Sequence, residues 1–225
     1  ALAQAGRTVV AVDLDARSER VNAFLQEVEG LDIHFAAANV GDYDACGALV
    51  QGIEAKYGSL DILVNNAGIT RDATLRKMQR AQWEEVMDVN LGSAFNLCGH
   101  AINGMQARAF GRVVNISSVS GQTGNFGQTN YAAAKAGLHG FTMSLAREVA
   151  TKGITVNSVS PGYIRTAMTG AMPVEIQEKI TAAIPAGRMG QPDDIARAVV
   201  FLSDDAAGYI TGANLPVNGG LFMSF

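Results

Sequence analysis

Short runs of β-branched residues alternate along the chain with longer amphipathic stretches. Such alternation is typical of βαβ units, in which parallel strands form a sheet and helices cover both of its faces. The pattern predicts strands at residues 8–12, 32–37, 60–65, 112–116, 155–160 and 214–217. It predicts helices at residues 18–29, 43–57, 80–108, 130–150, 173–183 and 192–202. The sequence therefore predicts a doubly wound α/β fold with a Rossmann-type parallel sheet.

The 225 residues fit a single domain, residues 1–225, that can bury a large core. No apolar run approaches the roughly 20 residues of a membrane-spanning helix, and the first residues do not resemble a secretory signal. The net charge of −4 has scattered signs, which gives nucleic-acid binding little electrostatic support. Cys46 and Cys98 lack metal-ligand spacing. We expect a cytoplasmic protein with no metal site and no affinity for nucleic acid or membranes.

The first residues, Ala1 to Ala5, look like the last turn of a helix that ends at Gly6, a C′ glycine before the first strand. A dinucleotide-binding unit normally begins with a strand and a glycine-rich turn that brings the pyrophosphate to a helix N-terminus. We expect both features to be missing from this chain, so that the domain is N-terminally incomplete.

Three predicted strands end in small or polar motifs. These are Asn65-Asn66-Ala67-Gly68, Asn115-Ile116-Ser117-Ser118 and Pro161-Gly162-Tyr163. Each motif alone could be an ordinary turn, helix cap or loop breaker. Open parallel sheets, however, bind their ligands at the carboxyl ends of the strands. Three such ends in succession predict a ligand site at this edge.

Tyr131 and Lys135 are four residues apart in a predicted helix, which places both side chains on one face. A fixed ammonium beside a phenol favours the phenolate, so we expect Lys135 to lower the pKa of Tyr131 into a range useful for proton transfer. A half-buried aromatic beside a solvated amine is the commoner explanation of such a pair on its own. Ser118, at a strand end before the helix, favours the catalytic interpretation.

The chain resembles the short-chain dehydrogenase/reductase family over its whole length. The motifs that carry this resemblance are Asn65-Asn66-Ala67-Gly68, Asn90, Ser118, Tyr131-x-x-x-Lys135 and Pro161-Gly162 through Thr166. It implies an NAD(P)H-dependent ketoreductase whose catalytic residues are Asn90, Ser118, Tyr131 and Lys135. Tyr131 would protonate the carbonyl oxygen, and Ser118 would hydrogen-bond the same oxygen. Lys135 would also bond the nicotinamide ribose.

Asn90 has two interpretations. The resemblance implies that it anchors a water chain that resupplies protons. Alternatively, it is an amide in the interior of a helix, satisfied by the backbone.

The resemblance also implies the cofactor-binding residues. Beside Tyr131 and Lys135, these are Asn65, Ala67, Gly68, Pro161, Gly162, Ile164 and Thr166, with Asn39 and Val40 on the adenine side. Many family members have Asp at the position of Asn39. Asp13 ends the first predicted strand, where a carboxylate can bond both ribose hydroxyls and repel a 2′-phosphate, which favours NADH. Arg17 and Arg20 could reach such a phosphate, so NADPH stays possible, and Asp13 could instead be a cap.

Two loops resemble those of bacterial acetoacetyl-CoA reductases, and 3-oxoacyl-[acyl-carrier-protein] reductases are the close alternative. These loops are Ile69–Asp72 and Gly127–Tyr131. The implied reaction converts acetoacetyl-CoA to 3-hydroxybutyryl-CoA, a polyhydroxyalkanoate precursor. The positions that line the acyl-thioester pocket would be Asp72, Asn125, Phe126, Gly127, Gln128, Gly162 and Tyr163. Phe126 and Tyr163 could equally be apolar residues of a lid, which we predict at residues 167–183.

The last eleven residues, 215–225, end in an apolar stretch, which indicates an interface. The family resemblance makes this a homotetramer contact. A catalytically silent nucleotide-binding protein is the alternative from another class, prompted by the missing glycine-rich turn.

Overall fold

The computed structural model describes residues 1–15, 18–170 and 172–223. Its strands are β1 (Val9–Asp13), β2 (Ile33–Ala37), β3 (Ile62–Asn65), β4 (Gly111–Ile116), β5 (Ile154–Pro161) and β6 (Asn214–Val217). Its helices are α1 (Glu19–Glu27), α2 (Tyr43–Tyr57), α3 (Arg80–Met87), α4 (Ser93–Arg108), α5 (Ser120–Thr123), α6 (Thr129–Val149), α7 (Ala167–Gly170), α8 (Val174–Ala183) and α9 (Pro192–Leu202).

All strand pairing in the described ranges is parallel. β1 pairs with β2, and a four-stranded sheet runs in the order β3-β4-β5-β6, with no ladder between β1 and β3 in those ranges. Because neighbouring strands are parallel, the carboxyl ends of all strands in a sheet lie along the same edge of that sheet. This architecture confirms the predicted α/β fold.

Successive residues of the four-stranded sheet point to opposite faces, and each face has its own core. Val113 and Val156 are buried in one cluster, with side chains from α2, α4 and α6. Val114 and Val159 are buried in a second cluster, with side chains from α9. Both faces are therefore covered by helices, as expected of a doubly wound sheet.

Local signals set several boundaries. Helix α2 begins where the side chain of Asp42 accepts the backbone N–H of Ala45 at 2.9 Å, and it ends at Gly58 with a φ of 88°. The first residues form a helical turn closed by Gly6 with a φ of 80°. Its backbone N–H donates to Ala3, and that of Arg7 donates to Leu2. The predicted C′ glycine is confirmed, with the hydrogen bonds of a Schellman motif.

The predicted helix at residues 80–108 is interrupted by a π-helical turn, Asp88–Gly92, between α3 and α4. The side-chain amide of Asn90 donates to the carbonyl of Val86, four residues earlier, at 2.9 Å. It therefore shares a carbonyl that helical N–H groups normally use, which favours a wider turn.

No helix within the described ranges has the length and apolarity to cross a bilayer.

Candidate active site

Ser118, Tyr131, Lys135 and Asn90 converge at the carboxyl edge of the four-stranded sheet. Ser118 lies just beyond the end of β4, and its hydroxyl accepts the N–H of Ser120 at 3.1 Å. Tyr131 and Lys135 lie one turn apart near the start of α6, with the lysine Nζ 5.7 Å from the centre of the tyrosine ring. The structure thus brings together the predicted catalytic residues.

The ammonium of Lys135 is buried and only partly satisfied. Its side chain is 3% exposed, and Nζ donates to the carbonyl of Ile116 at 2.8 Å. It makes no ion pair in the described part of the chain. An ammonium has three donors, so this one carbonyl leaves capacity for a ligand. Burial lowers the pKa of Lys135 to about 8, because it disfavours the charged form.

The pKa of Tyr131 is raised, which contradicts the expectation that Lys135 would lower it. Burial of the phenol is the largest cause, the nearby hydroxyl of Ser118 opposes it, and the carboxylate of Asp72 adds to it. The ammonium lies beside the ring, 5.7 Å from its centre, instead of bonding the hydroxyl. Tyr131 is therefore a protonated acid at neutral pH in this structure.

Asn90 is buried with one end of its amide unsatisfied. Its Nδ2 donates to the carbonyls of Ile69 and Val86, both at 2.9 Å, whereas Oδ1 is buried without a protein partner. The opposite amide orientation would place the oxygen against two carbonyl oxygens, so the assignment is secure. A Cβ at Gly68 would come within 2.7 Å of this Oδ1 and 3.4 Å of the Lys135 Nζ. The backbone interpretation of Asn90 therefore accounts for only half of the amide.

Other buried polar groups hold the site in place, and these were missed from the sequence. Asn130 is fully buried; it donates to the carbonyls of Arg71 and Gln82, both at 3.1 Å, and accepts the N–H of Tyr131 at 2.8 Å. Ser117 donates to the carbonyl of Lys135 at 2.8 Å. The sequence did contain a signal for both residues, because Asn130 directly precedes Tyr131 and Ser117 directly precedes Ser118.

The strand-end residues also include a polar pair inside the sheet. Asn65 and Asn115 are register partners on β3 and β4, and Asn65 Nδ2 donates to Asn115 Oδ1 at 2.8 Å. Asn115 in turn donates to Thr142 on α6 at 2.9 Å. Asn65 is 6% exposed, so its buried side chain holds the carboxyl ends of β3 and β4 together.

The predicted cofactor residues occupy one edge of the two sheets. Asp13 ends β1 and accepts the N–H of Leu14 at 2.8 Å. Asn39 Oδ1 accepts the N–H of Gly41 at 3.0 Å, which is an Asx turn. A Cβ at Gly162 would meet the Asn218 Cα at 2.8 Å, so chain packing alone requires this glycine. The remaining predicted residues lie at or just beyond the carboxyl ends of β2, β3 and β5; they are Val40, Ala67, Gly68, Pro161, Ile164 and Thr166.

These features fit a nicotinamide cofactor. Lys135 has unused donor capacity, Asn90 has a buried unused acceptor, and the glycine at position 68 keeps a Cβ from crowding these two groups.

The predicted substrate residues lie on loops beside the catalytic group. Gln128 donates to Asp72 at 3.0 Å and accepts from Asn125 at 2.9 Å, so its amide ties two loops together. Phe126 is 89% exposed. Gly127, with a φ of 77°, accepts the N–H of Ala73. Tyr163, next to Gly162, lines a cavity of about 430 Å³ with Asn125.

Comparisons with known proteins agree with this geometry. A family model described as enoyl-(acyl carrier protein) reductase matches residues 1–222. An acetoacetyl-CoA reductase of Allochromatium vinosum is 53% identical over 99% of this chain and 91% of its own length. That of Cupriavidus necator is 50% identical over the same shares. A 3-oxoacyl-[acyl-carrier-protein] reductase of Haemophilus influenzae is 52% identical over 83% of this chain and 77% of its own length. The chain therefore belongs to the short-chain dehydrogenase/reductase family.

Proposed function

We propose that this chain reduces the 3-oxo group of acetoacetyl-CoA to give 3-hydroxybutyryl-CoA. The observation that carries the proposal is the placement of Ser118, just beyond β4, and Tyr131, on α6, beside the buried ammonium of Lys135. Two hydroxyls that share one edge can converge on a single carbonyl oxygen. The names of the relatives support the choice of thioester, and the family makes the chain an NAD(P)H-dependent ketoreductase.

In the proposed mechanism, Tyr131 is the general acid and Ser118 orients the substrate carbonyl. The raised pKa of Tyr131 keeps the phenol protonated at neutral pH, ready to donate to the carbonyl oxygen as charge develops there. A nicotinamide held beside these residues would supply the hydride that adds to the carbonyl carbon. Afterwards the ammonium of Lys135, with a pKa of about 8, stabilises the phenolate left on Tyr131.

Asn90 and Lys135 have further roles in this proposal. The free Oδ1 of Asn90 would hold a water that returns a proton toward Tyr131 through the lysine. The unused donors of Lys135 would bind the nicotinamide ribose.

We propose the following residues as the cofactor site. The ribose and pyrophosphate would lie against Asn65, Ala67 and Gly68, the carboxamide against Pro161, Gly162, Ile164 and Thr166, and the adenine against Asn39 and Val40. We expect Val40 to contribute more than Asn39, whose amide oxygen is engaged in a turn.

We propose NADH as the preferred hydride donor. Asp13 lies at the carboxyl end of β1, where its carboxylate would repel a 2′-phosphate. Arg17, which could favour NADPH, lies outside the described residues, as does the side chain of Arg20. Comparing kcat/KM for the two nucleotides tests this preference. Asp13→Ala should reduce the advantage of NADH, and an unchanged ratio would contradict the assignment.

We propose that the chain folds as one domain, that four copies form a homotetramer, and that the protein is cytoplasmic. Large apolar side chains are exposed on several helices, including Phe95 on α4, Met143 on α6 and Phe201 on α9. Near the C-terminus Met223 is 73% exposed, while the last two residues lie outside the described part. Two free, buried cysteines suit a reducing compartment. Light scattering coupled to size-exclusion chromatography gives the subunit number.

The reaction is tested by following NADH oxidation with acetoacetyl-CoA. Tyr131→Phe should lose about 10²- to 10⁴-fold in kcat, because it removes the acid without changing the shape of the side chain. Wild-type turnover in this variant would refute the assignment of the acid. Crotonyl-CoA is the matched control, because it offers a carbon–carbon double bond in place of the ketone and probes the enoyl reduction that the family model's description mentions.

Reduction of a carrier-protein thioester is the second candidate, favoured by the Haemophilus influenzae relative. Relative kcat/KM for matched CoA and carrier-protein thioesters decides between the two. NADH binding without turnover of either thioester would instead favour a silent nucleotide-binding protein.

A further inference from the structure

A cleft of about 430 Å³ adjoins the candidate active site. Its inner wall includes Val119 and Ser120, the two residues that follow Ser118. The N–H of Ser120 donates to the Ser118 hydroxyl at 3.1 Å, so this wall is joined directly to a catalytic hydroxyl. Helix α8 contributes Lys179 and Ile180 to the lining. The cleft thus connects the residues that follow Ser118 with helix α8.

The lining is mixed, with a single cation. Apolar contacts come from Val119 and Ile180, and polar groups from Ser120, Asn125 and Tyr163. Lys179 is the one charged residue among those that line the cleft, and its side chain is exposed. No ion pair of Lys179 occurs within the described residues. The cleft therefore combines an amphipathic wall with an unneutralised ammonium on α8.

We propose that this cleft holds the pantetheine arm of the thioester, an inference that rests on the proposed function. Lys179 would bind the phosphate at the end of the arm. Pantetheine has two amides and a pair of methyl groups, which match a wall of hydroxyls, amides and aliphatic side chains. Its distal end carries a phosphate, for which an ammonium is a suitable partner. Coenzyme A and the prosthetic group of a carrier protein share this phosphate, so Lys179 would serve either source.

The neighbours of Lys179 limit the size of the effect. Glu175 lies one turn earlier on the same face of α8, where it competes for the ammonium. Glu178 lines a different cavity, together with Arg165, and so faces away from the cleft. Since the ammonium is exposed, its attraction for a phosphate is screened by salt. We therefore expect a contribution of about three- to five-fold in affinity, the size of an exposed ion pair.

Binding of the bare arm tests this site without catalysis. Calorimetric titration at low salt should show that the chain binds 4′-phosphopantetheine about three- to five-fold more tightly than pantetheine. Lys179→Gln should remove the difference, and Lys179→Arg should restore it. The matched control is Lys56→Gln, which makes the same charge change on α2, outside the cleft. Equal binding of both arms by the wild type, or an undiminished preference in Lys179→Gln, overturns the proposal.

Kinetics identify the source of the phosphate. Lys179→Gln should raise the KM for acetoacetyl-CoA, for the carrier-protein thioester, or for both, with kcat unchanged, and the affected substrate is the source. The KM for acetoacetyl-pantetheine should not move, and an equal rise for it overturns the proposal. A wild type that prefers 4′-phosphopantetheine yet reduces no thioester would refute the proposed reaction and leave the phosphate site standing. Turnover without that preference would do the reverse.

Discussion

Two buried cations at opposite edges of the four-stranded sheet differ in how fully the protein satisfies them. Arg112, near the amino end of β4, is 4% exposed and packs over the ring of Phe110 at 4.4 Å. Its guanidinium donates to the carbonyls of Gly111, Gly153, Asp204 and Asp205. Lys135, at the carboxyl edge, is 3% exposed and donates to the single carbonyl of Ile116. Equal burial thus accompanies very different hydrogen bonding.

The difference separates a structural charge from one available to a ligand. A buried charge costs free energy unless hydrogen bonds replace its water, and the carbonyls around Arg112 do so. Lys135 keeps N–H donors without acceptors, which lowers the free energy of unfolding unless a ligand accepts hydrogen bonds from them. The amino edge is therefore built for stability, and the carboxyl edge retains incomplete polar groups where the proposed cofactor binds.

The largest expected effect is on turnover. Lys135→Met keeps the length of the side chain and removes the charge, so kcat should fall about 10³-fold because the phenolate of Tyr131 loses its counterion. The fold should survive, since an apolar residue replaces a poorly satisfied cation. Steady-state kinetics and urea unfolding measure both. Lys152→Met, on an exposed turn, is the control, and loss of turnover there would remove the contrast.

The same variant isolates a pH effect on stability. An unfolded lysine has a pKa near 10.5, whereas burial lowers that of folded Lys135 to about 8. Between these values the unfolded chain binds more protons, so the free energy of unfolding should rise with pH, by on the order of 3 kcal/mol. Lys135→Met should lack this rise. Parallel curves for the two proteins from pH 8 to 10.5 would contradict the buried-ammonium assignment.

Arg112→Met should have the opposite profile to Lys135→Met. It leaves several buried carbonyls without a donor, so the free energy of unfolding should fall by about 3 kcal/mol. The kcat of the folded fraction should be unchanged, because the guanidinium lies at the amino edge. Urea denaturation and active-site-normalised kinetics check both. A loss of kcat equal to that of Lys135→Met would end the distinction between the two edges.

This contrast also marks how far the sequence could predict the molecule. Strand ends and the bounds of α2 followed from apolar periodicity, because that signal acts locally. The π-helical turn at Asn90 did not, because it depends on a side-chain hydrogen bond to the carbonyl of Val86, which apolar periodicity does not reveal. The four catalytic candidates were found by their motifs, but the raised pKa of Tyr131 depends on burial, which no spacing reveals.

A smaller effect should come from crowding the unfinished amide. A Cβ in Gly68→Ala would lie 2.7 Å from Asn90 Oδ1, so the amide must shift, and kcat should fall about tenfold. In an Asn90→Ala background the same change should cost almost nothing, and a double-mutant cycle measures this coupling. Gly52→Ala, on α2 with open space around it, is the control. Additive effects of the two substitutions would show that the glycine and the amide act separately.

The smallest effect concerns His139, which lies one turn beyond Lys135 on α6. Its Nε2 lies 3.2 Å from the Ser160 hydroxyl, which itself donates to Asn214 Oδ1, so the ring completes a short polar chain. Burial lowers the pKa of His139, so the unfolded chain binds the proton more readily as the pH falls below about 6.5. The free energy of unfolding should then decrease as the pH falls toward 5. His139→Gln, which keeps a donor but cannot titrate, should lose less over this range in urea titrations. An identical loss in both proteins would assign the acid sensitivity to other groups.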